Sequence, residues 1–543
     1  MKKVRLLSLF SVSALVATVL VTAPTVANAA PACDGKSPIQ TCVGATSDGA
    51  PYAMQVPANF NGTVALYSHG YRYNVDIPSA IPLIGGYKIT NTPEPVPGGN
   101  AAVAQYFFSQ GIAIVGSGFA RQGWNPDSAI KTNVELIGTF KKQFPTTTNV
   151  VAWGSSLGGV ITQGLAEKHP ELVSAVAPMC MADNISPQLT MAGDFLWGIK
   201  VLFDPSIKGG NYSPGAAGVA ESYADLGKVF TVMGKLQAAL ATGAWPDTSS
   251  PTGKSLAAAG VPSRSALLLL GLMAGLPTQS AHFDSISGPE GALKLTFPLA
   301  LSPALAILEN GTNAAALAVL ATQDVENQVG GAIFDNTKTD YSARVDGERV
   351  IYNAALSGNT VIDALLGALS SANPGAPRAK ADPAAVAKMK ALHTNTGKIN
   401  VPTILMVGMA DPITPAGASQ RLVDLYVEQY AAEKAAALKA HKTTPYKTPT
   451  NKLLMLWNIT PSSYTKFNDA GSPITSTPAA QGTNHCNFTS AQLVLVAKSL
   501  VAASSTGKLP SGGALSTAVR KAGNLSVDKG IRAPWLKSYG DNE

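Results

Sequence analysis

VAWGSSLGGV, residues 151–160, sets two adjacent serines between glycines, and its reading decides how the rest of the chain is understood. The apolar run at 149–153 is strand-like and 157–168 is helix-like, so the small residues occupy a strand-to-helix turn. When a chain folds back this sharply, side chains two positions before and after the central residue collide. Ser156 as the centre puts Gly154 and Gly158 at those positions; Ser155 as the centre would put Trp153 and Leu157 there. Glycine placement therefore selects Ser156. It stands at the amino end of a helix, whose dipole favours developing negative charge, and the pattern is GxSxG in the strand-turn-helix setting that an exposed nucleophile requires. An ordinary turn has the same composition, so the reading depends on a base and an acid elsewhere in the chain.

The chain has only six histidines, which makes elimination practicable. His169 falls at the far end of the helix after Ser156, His282 and His393 fall within or at the exit of a long helical stretch, and His441 sits in a Lys-rich segment. His69 directly follows an early strand and suits another role. His485, in GTNHCNFT, follows the last strand and precedes an apolar helix beginning near Ser490, a position that returns to the carboxyl edge of a sheet. It is the expected base. Asp411, in ILMVGMADPITP, directly follows an apolar strand and is the expected acid, with Asp469 as the fallback and a plain turn residue before Pro412 as the competing reading.

Around these segments the chain alternates. Strands are expected at 52–56, 63–67, 112–115, 149–153 and 173–177, with helices at 101–109, 127–144 and 157–168 between them. Strands apolar on both faces, separated by helices, imply a parallel sheet covered on both sides, an α/β fold. The alternation stops near Ala182. From there to about Asn400 the sequence is rich in Ala, Leu, Gly and Ser, with helix-like stretches at 216–240, 265–274 and 314–322. The buried-strand pattern resumes at 401–412 and continues through a helix at 417–439 and a last strand at 452–457. The expected organisation is a leader at 1–29, sheet segments at 30–181 and 401–503, a mainly helical cap insertion at 182–400, and a loop-like tail at 504–543 docked through Trp535.

The first 29 residues place Lys2, Lys3 and Arg5 before an apolar run at 6–21 and the small residues Ala27, Asn28 and Ala29. That order is typical of a cleaved secretory signal, and Ser8, Ser11 and Ser13 make it a poor membrane anchor. No later uninterrupted apolar run reaches spanning length; the run at 265–276 is too short. The expected protein is exported and carries no stable membrane anchor. Its formal charge of +7 falls to +4 without the three basic leader residues, and only 13% of residues are charged, so nucleic acid is not an expected partner. Four cysteines in an exported chain suggest two disulfides, most simply Cys33 with Cys42 and Cys180 with Cys486. No close Cys or His pair has metal-ligand spacing, so no metal is expected.

SHGY at 68–71, GSSLG at 154–158, GMADP at 408–412 and NHCNFT at 484–489, in this order, resemble the α/β-hydrolase superfamily, and within it the capped, secreted bacterial esterases and lipase-like enzymes. The resemblance covers 52–181 and 401–503. It implies a Ser156, Asp411, His485 triad in the chain order of that architecture, an oxyanion hole from the main-chain N–H groups of Tyr71 and Leu157, and no cofactor. Cys486 beside His485 also resembles tannases and feruloyl esterases, in which a disulfide joins the residue before the nucleophile to the residue after the base. Ser155 occupies the first of those positions here, so the likeness is half present. The implied activity is hydrolysis of a small-molecule or polymeric ester, with a hydrophobic one favoured. An aminopeptidase-like hydrolase would instead want an acidic cluster in the cap, and Asp183, Asp194, Glu221, Asp225, Asp284 and Glu290 are scattered in sequence. A catalytically silent binding protein is the third reading.

Overall fold

A computed structural model describes residues 30–35, 38–287, 301–441 and 445–541. The leader expected at 1–29, and Glu290, lie outside the described residues. The strands are β1 (Ala32–Cys33), β2 (Ile39–Ala45), β3 (Pro51–Pro57), β4 (Thr63–Ser68), β5 (Ala113–Ser117), β6 (Asn149–Ser155), β7 (Ala175–Met179), β8 (Thr403–Gly408), β9 (Leu453–Asn458) and β10 (Leu525–Ser526). They form one sheet in the order β1-β2-β3-β5-β4-β6-β7-β8-β9-β10. The block from β5 to β9 is parallel, and the outer pairs are antiparallel.

The sequence builds this sheet because its central strands carry apolar side chains on both faces. In β6, Val150 and Ala152 face one layer while Val151 and Trp153 face the other, none more than 2% exposed. The helices before the insertion are α1 (Ala101–Ser109), α2 (Pro126–Gln143) and α3 (Leu157–Lys168). The insertion between β7 and β8 supplies α4 (Ile185–Leu202), α5 (Ala216–Ala239), α6 (Pro251–Ala258), α7 (Ser263–Ala274), α8 (Leu301–Val329), α9 (Tyr341–Ile351), α10 (Asn359–Ala368) and α11 (Pro383–Lys390). After β8 come α12 (Ala416–Ala440), α13 (Ser490–Thr506) and α14 (Gly512–Ala522). Side chains of α1, α13 and α14 pack on one face of the sheet, and those of α2, α3 and α12 on the other. The insertion has its own core, centred on side chains such as Trp197, Leu236, Leu268 and Ile307.

Three features differ from the sequence reading. The helix expected at 314–322 runs from Leu301 to Val329. Asn310, Gly311 and Asn313 weaken its intrinsic propensity, but burial against α4, α5 and α7 overrides that. It is also long and apolar enough to cross a membrane, although 67% of its most apolar window is buried inside the protein, as in a core helix. The tail that reads as loop contains α14 and β10: Leu515 and Val519, four apart, are buried, and β10 pairs with β9. Its glycines mark boundaries, with Gly507 closing α13 in the left-handed conformation and Gly523 following α14. Trp535 is 45% exposed, so the apolar anchors of the last segment are its buried neighbours Ala533 and Leu536, while the Trp535 indole donates to Asp424 at 2.9 Å.

Both disulfides form. Cys33 bonds Cys42, its register partner across β1 and β2, and Cys180 bonds Cys486 across 306 residues of chain. The second ties the end of β7 to the loop before α13. A capping box, Thr489 with Gln492, fixes where that loop ends.

Candidate active site

The turn after β6 brings Ser156 to the sheet's carboxyl edge with φ 59° and ψ −125°, a conformation rarely adopted by residues other than glycine. The glycines around it are required by contact. A Cβ on Gly154 would lie 2.3 Å from the Gly158 carbonyl oxygen, and one on Gly158 would lie 1.9 Å from the Ser68 carbonyl oxygen. The collision inferred from sequence is therefore partly between the two arms of the turn and partly with the end of β4.

His485 Nε2 lies 2.8 Å from Ser156 Oγ, and His485 Nδ1 lies 3.0 and 2.9 Å from the two carboxylate oxygens of Asp411. Asp411 is 1% exposed, and its negative charge is matched by donors on both oxygens. Oδ1 accepts from the main-chain N–H groups of Ile413 and Thr414, both at 2.9 Å; Oδ2 accepts from the N–H of Cys486 at 3.1 Å and the hydroxyl of Thr414 at 3.2 Å. The single Thr414 hydroxyl proton is shared with the Cys180 carbonyl, the nearer acceptor at 2.7 Å, so one hydroxyl sits between the acid and the disulfide. Cys180, Asn484 and Cys486 share positive φ with Ser156, which concentrates backbone strain around the constellation. Asp411, His485 and Cys486 are close enough to share a cation, but Cys486 is disulfide-bonded and offers no thiolate.

The rejected histidines have other partners. His282 pairs with Glu309 at 2.7 Å, a hydrogen bond that raises its pKa, and His393 is buried against Asn395. His169 faces Glu171 at 3.4 Å, and His441 is the C-cap of α12. Asp469, the fallback acid, is exposed in a turn.

His69 and Gly70 follow β4 directly beneath the nucleophile. A Cβ on Gly70 would stand 3.3 Å from the Ser156 Cβ, so a larger residue here would crowd the nucleophile. His69 donates from Nδ1 to the Gly70 carbonyl at 2.7 Å, and burial, assisted by Arg72, lowers its pKa to about 4. The folded protein holds this imidazole neutral, whereas the unfolded chain protonates it near pH 6.5. The unfolded state therefore binds more protons between these values, and stability present above pH 6.5 is lost as the pH falls toward 4. The expected contribution is about 3 kcal/mol. Denaturant unfolding at pH 7.5 and 4.5 should show His69→Gln losing less stability on acidification than the wild type; equal losses would contradict it.

A crevice opens at Ser156, bounded by Tyr71, Trp124, Leu157, Pro412 and Ile413 on the sheet side and by α4 and α8 on the other, with about 810 Å3 of empty space, part of it open to solvent. Leu189, Met191, Phe195, Leu276 and Leu317 make it apolar. Among the described residues no Asp, Glu, Lys or Arg lines it. Asp324 of α8, fully buried, holds the insertion onto the loops that carry Tyr71 and Trp124. It accepts from Arg121 Nη2 at 2.6 Å, from the Trp124 N–H at 2.7 Å and from Asn74 Nδ2 at 2.7 Å, and burial raises its pKa. Sequence reasoning missed Asp324, Trp124 and Thr414. The DPIT spacing at 411–414 was a usable signal for Thr414, since an Asp side chain commonly accepts from N–H groups two and three residues on.

No protein-family model matches the chain. No curated protein matches it either. Among solved structures, the chain is similar to feruloyl esterase B from Aspergillus oryzae at 13% identity, covering 87% of this chain and 82% of that one, with a TM-score of 0.38. Another esterase from Aspergillus oryzae aligns at 11% identity over 77% of this chain and 71% of that one, TM-score 0.31. The rice cell wall degrading esterase LipA from Xanthomonas oryzae aligns at 12% identity over 78% and 84%, TM-score 0.29. These likenesses are too distant to carry activity or substrate. The strand order, the parallel centre and the strained turn between β6 and α3 define the class: an α/β-hydrolase fold with a large helical insertion.

Proposed function

We propose that the protein is an exported serine hydrolase that cleaves carboxylic esters of apolar character. The observation that carries this reading is the hydrogen-bonded line from Asp411 through His485 to Ser156, 2.9 and 2.8 Å per link, at the mouth of an apolar crevice. Ser156 Oγ attacks the ester carbonyl while His485 Nε2 takes its proton; Asp411 fixes the tautomer and stabilises the imidazolium. The oxyanion forms beside the N–H groups of Tyr71 and Leu157, the latter the first residue of α3 and so without an intrahelical acceptor. His485 then protonates the leaving alcohol, and water, activated by the same imidazole, releases the acid from Ser156. The two disulfides suit an oxidising compartment and support export. The crevice disfavours the aminopeptidase reading, because among the described residues no carboxylate lines it to meet a substrate ammonium group.

The test is turnover of p-nitrophenyl acyl esters beside aminoacyl p-nitroanilides, with fluorophosphonate labelling of the same preparation. Labelling with ester turnover is the expected result. Turnover of anilides alone would replace esterase with peptidase, and an unlabelled protein would remove the enzyme reading.

A further inference from the structure

The crevice contains polar atoms for which the ester-cleaving steps have no use. Gln188, on α4, is 8% exposed and lines the crevice, yet neither its Oε1 nor its Nε2 has a hydrogen-bond partner among the described residues. Trp124, 5% exposed, lines the same crevice, and its indole Nε1–H is also unpaired. Buried amide and indole groups without partners are costly and uncommon. Ile185, Leu189 and Phe195 on the same helix line the crevice with apolar side chains, and leucine at 188 would continue that wall without the penalty. An amide retained in an apolar slot that opens on a nucleophile is accounted for when a ligand atom completes it.

The chemistry of the two side chains restricts that atom. An indole N–H only donates, whereas a glutamine amide donates and accepts. An oxygen acceptor suits either donor, and a hydroxyl can in addition donate to Gln188 Oε1. A carboxylate or ammonium group is disfavoured, since among the described residues no charged side chain lines the crevice to oppose it. We propose that Gln188 and Trp124 form a polar subsite that recognises a neutral oxygen on an otherwise apolar substrate chain, a hydroxyl or a second ester carbonyl. The preferred substrates are then oxygenated aliphatic esters, such as hydroxyalkanoyl esters or short oligoesters, over plain alkanoates. This inference rests on ester cleavage at Ser156.

The experiment measures kcat/KM on p-nitrophenyl esters of equal chain length in three arms: plain alkanoyl, monohydroxyalkanoyl with the hydroxyl at successive carbons, and oligomeric hydroxyalkanoyl carrying a second ester. At least one oxygenated substrate is expected to exceed its plain counterpart by about tenfold or more, and the arms separate hydroxyl from ester carbonyl. Gln188→Leu should lower that ratio about tenfold, toward one, and Trp124→Phe should lower it in the same direction. Gln188→Met, closer in length, carries the same expectation where Gln188→Leu does not fold. A ratio near one in the wild type, or a ratio that survives the Gln188 substitutions, overturns the subsite. Fluorophosphonate labelling of Ser156 in each preparation distinguishes the two levels: labelled protein without selectivity overturns the subsite alone, and unlabelled wild type overturns the ester-cleaving reading with it.

Discussion

Ser156→Ala is expected to lower kcat on p-nitrophenyl esters by about 10^5- to 10^6-fold, and Ser155→Ala by no more than a few-fold. The difference follows from the turn. Ser156 has the positive φ that lifts its hydroxyl off the sheet edge, and its Oγ is 2.8 Å from the imidazole that would take its proton. Ser155 is the last residue of β6, in register with Met179 of β7, and its side chain faces the Tyr67 hydroxyl. The measurement is steady-state turnover of both variants, with fluorophosphonate labelling to exclude wild-type carry-over. Ser155→Ala as the inactive variant would reverse the assignment. Alanine tolerates the position 156 backbone about as poorly as serine, so thermal unfolding of Ser156→Ala should match the wild type, which separates lost chemistry from lost fold.

The place of Ser156 at the centre of the turn was legible because it depends on local sterics: glycine is the only residue that fits two places beside the turn, and sequence records where glycine stands. His485 and Asp411 were legible for a different reason. Both follow strands in a parallel sheet, and every loop after such a strand emerges at the same edge, so their places after strands, with the other histidines eliminated, pointed to convergence. The residues that escaped notice depend on how the insertion packs. Nothing near Asp324 in sequence reveals that Arg121, Trp124 and Asn74 meet it from two loops some 200 to 250 residues away. Gln188 looks like an ordinary polar helix residue until α8 closes opposite it. The extent of α8 was hidden by Asn310, Gly311 and Asn313, whose weak propensity matters less than burial on several sides. In the tail, helix-capping glycines and loop glycines have the same letter, and only the buried pair Leu515 and Val519 separates them.

Asp411→Asn is expected to lower kcat by about 10^4-fold at neutral pH while leaving the chain folded. Asparagine keeps one acceptor oxygen and replaces the other with an NH2 group, and both positions at this site face donors. With the NH2 at Oδ1, the N–H groups of Ile413 and Thr414 lose their acceptor. With the NH2 at Oδ2, the Cys486 N–H loses its acceptor and the group now donates toward His485 Nδ1. A ring that accepts at Nδ1 carries its proton on Nε2, and that nitrogen can no longer take the proton of Ser156. Either orientation leaves donors unpaired in a buried site, at a cost of about 1–3 kcal/mol for each group. The disulfide from Cys180 to Cys486 still holds the histidine loop, which is why geometry should survive the change. Asp469→Asn, in an exposed turn, should stay within about twofold of wild type, well inside the range of ordinary surface substitutions. The two variants are compared by kcat and by denaturant midpoint. Loss of activity in Asp469→Asn with retention in Asp411→Asn would transfer the acid role to the other carboxylate, and a parallel collapse of midpoint and kcat in Asp411→Asn would mean that the carboxylate serves the fold rather than the imidazole.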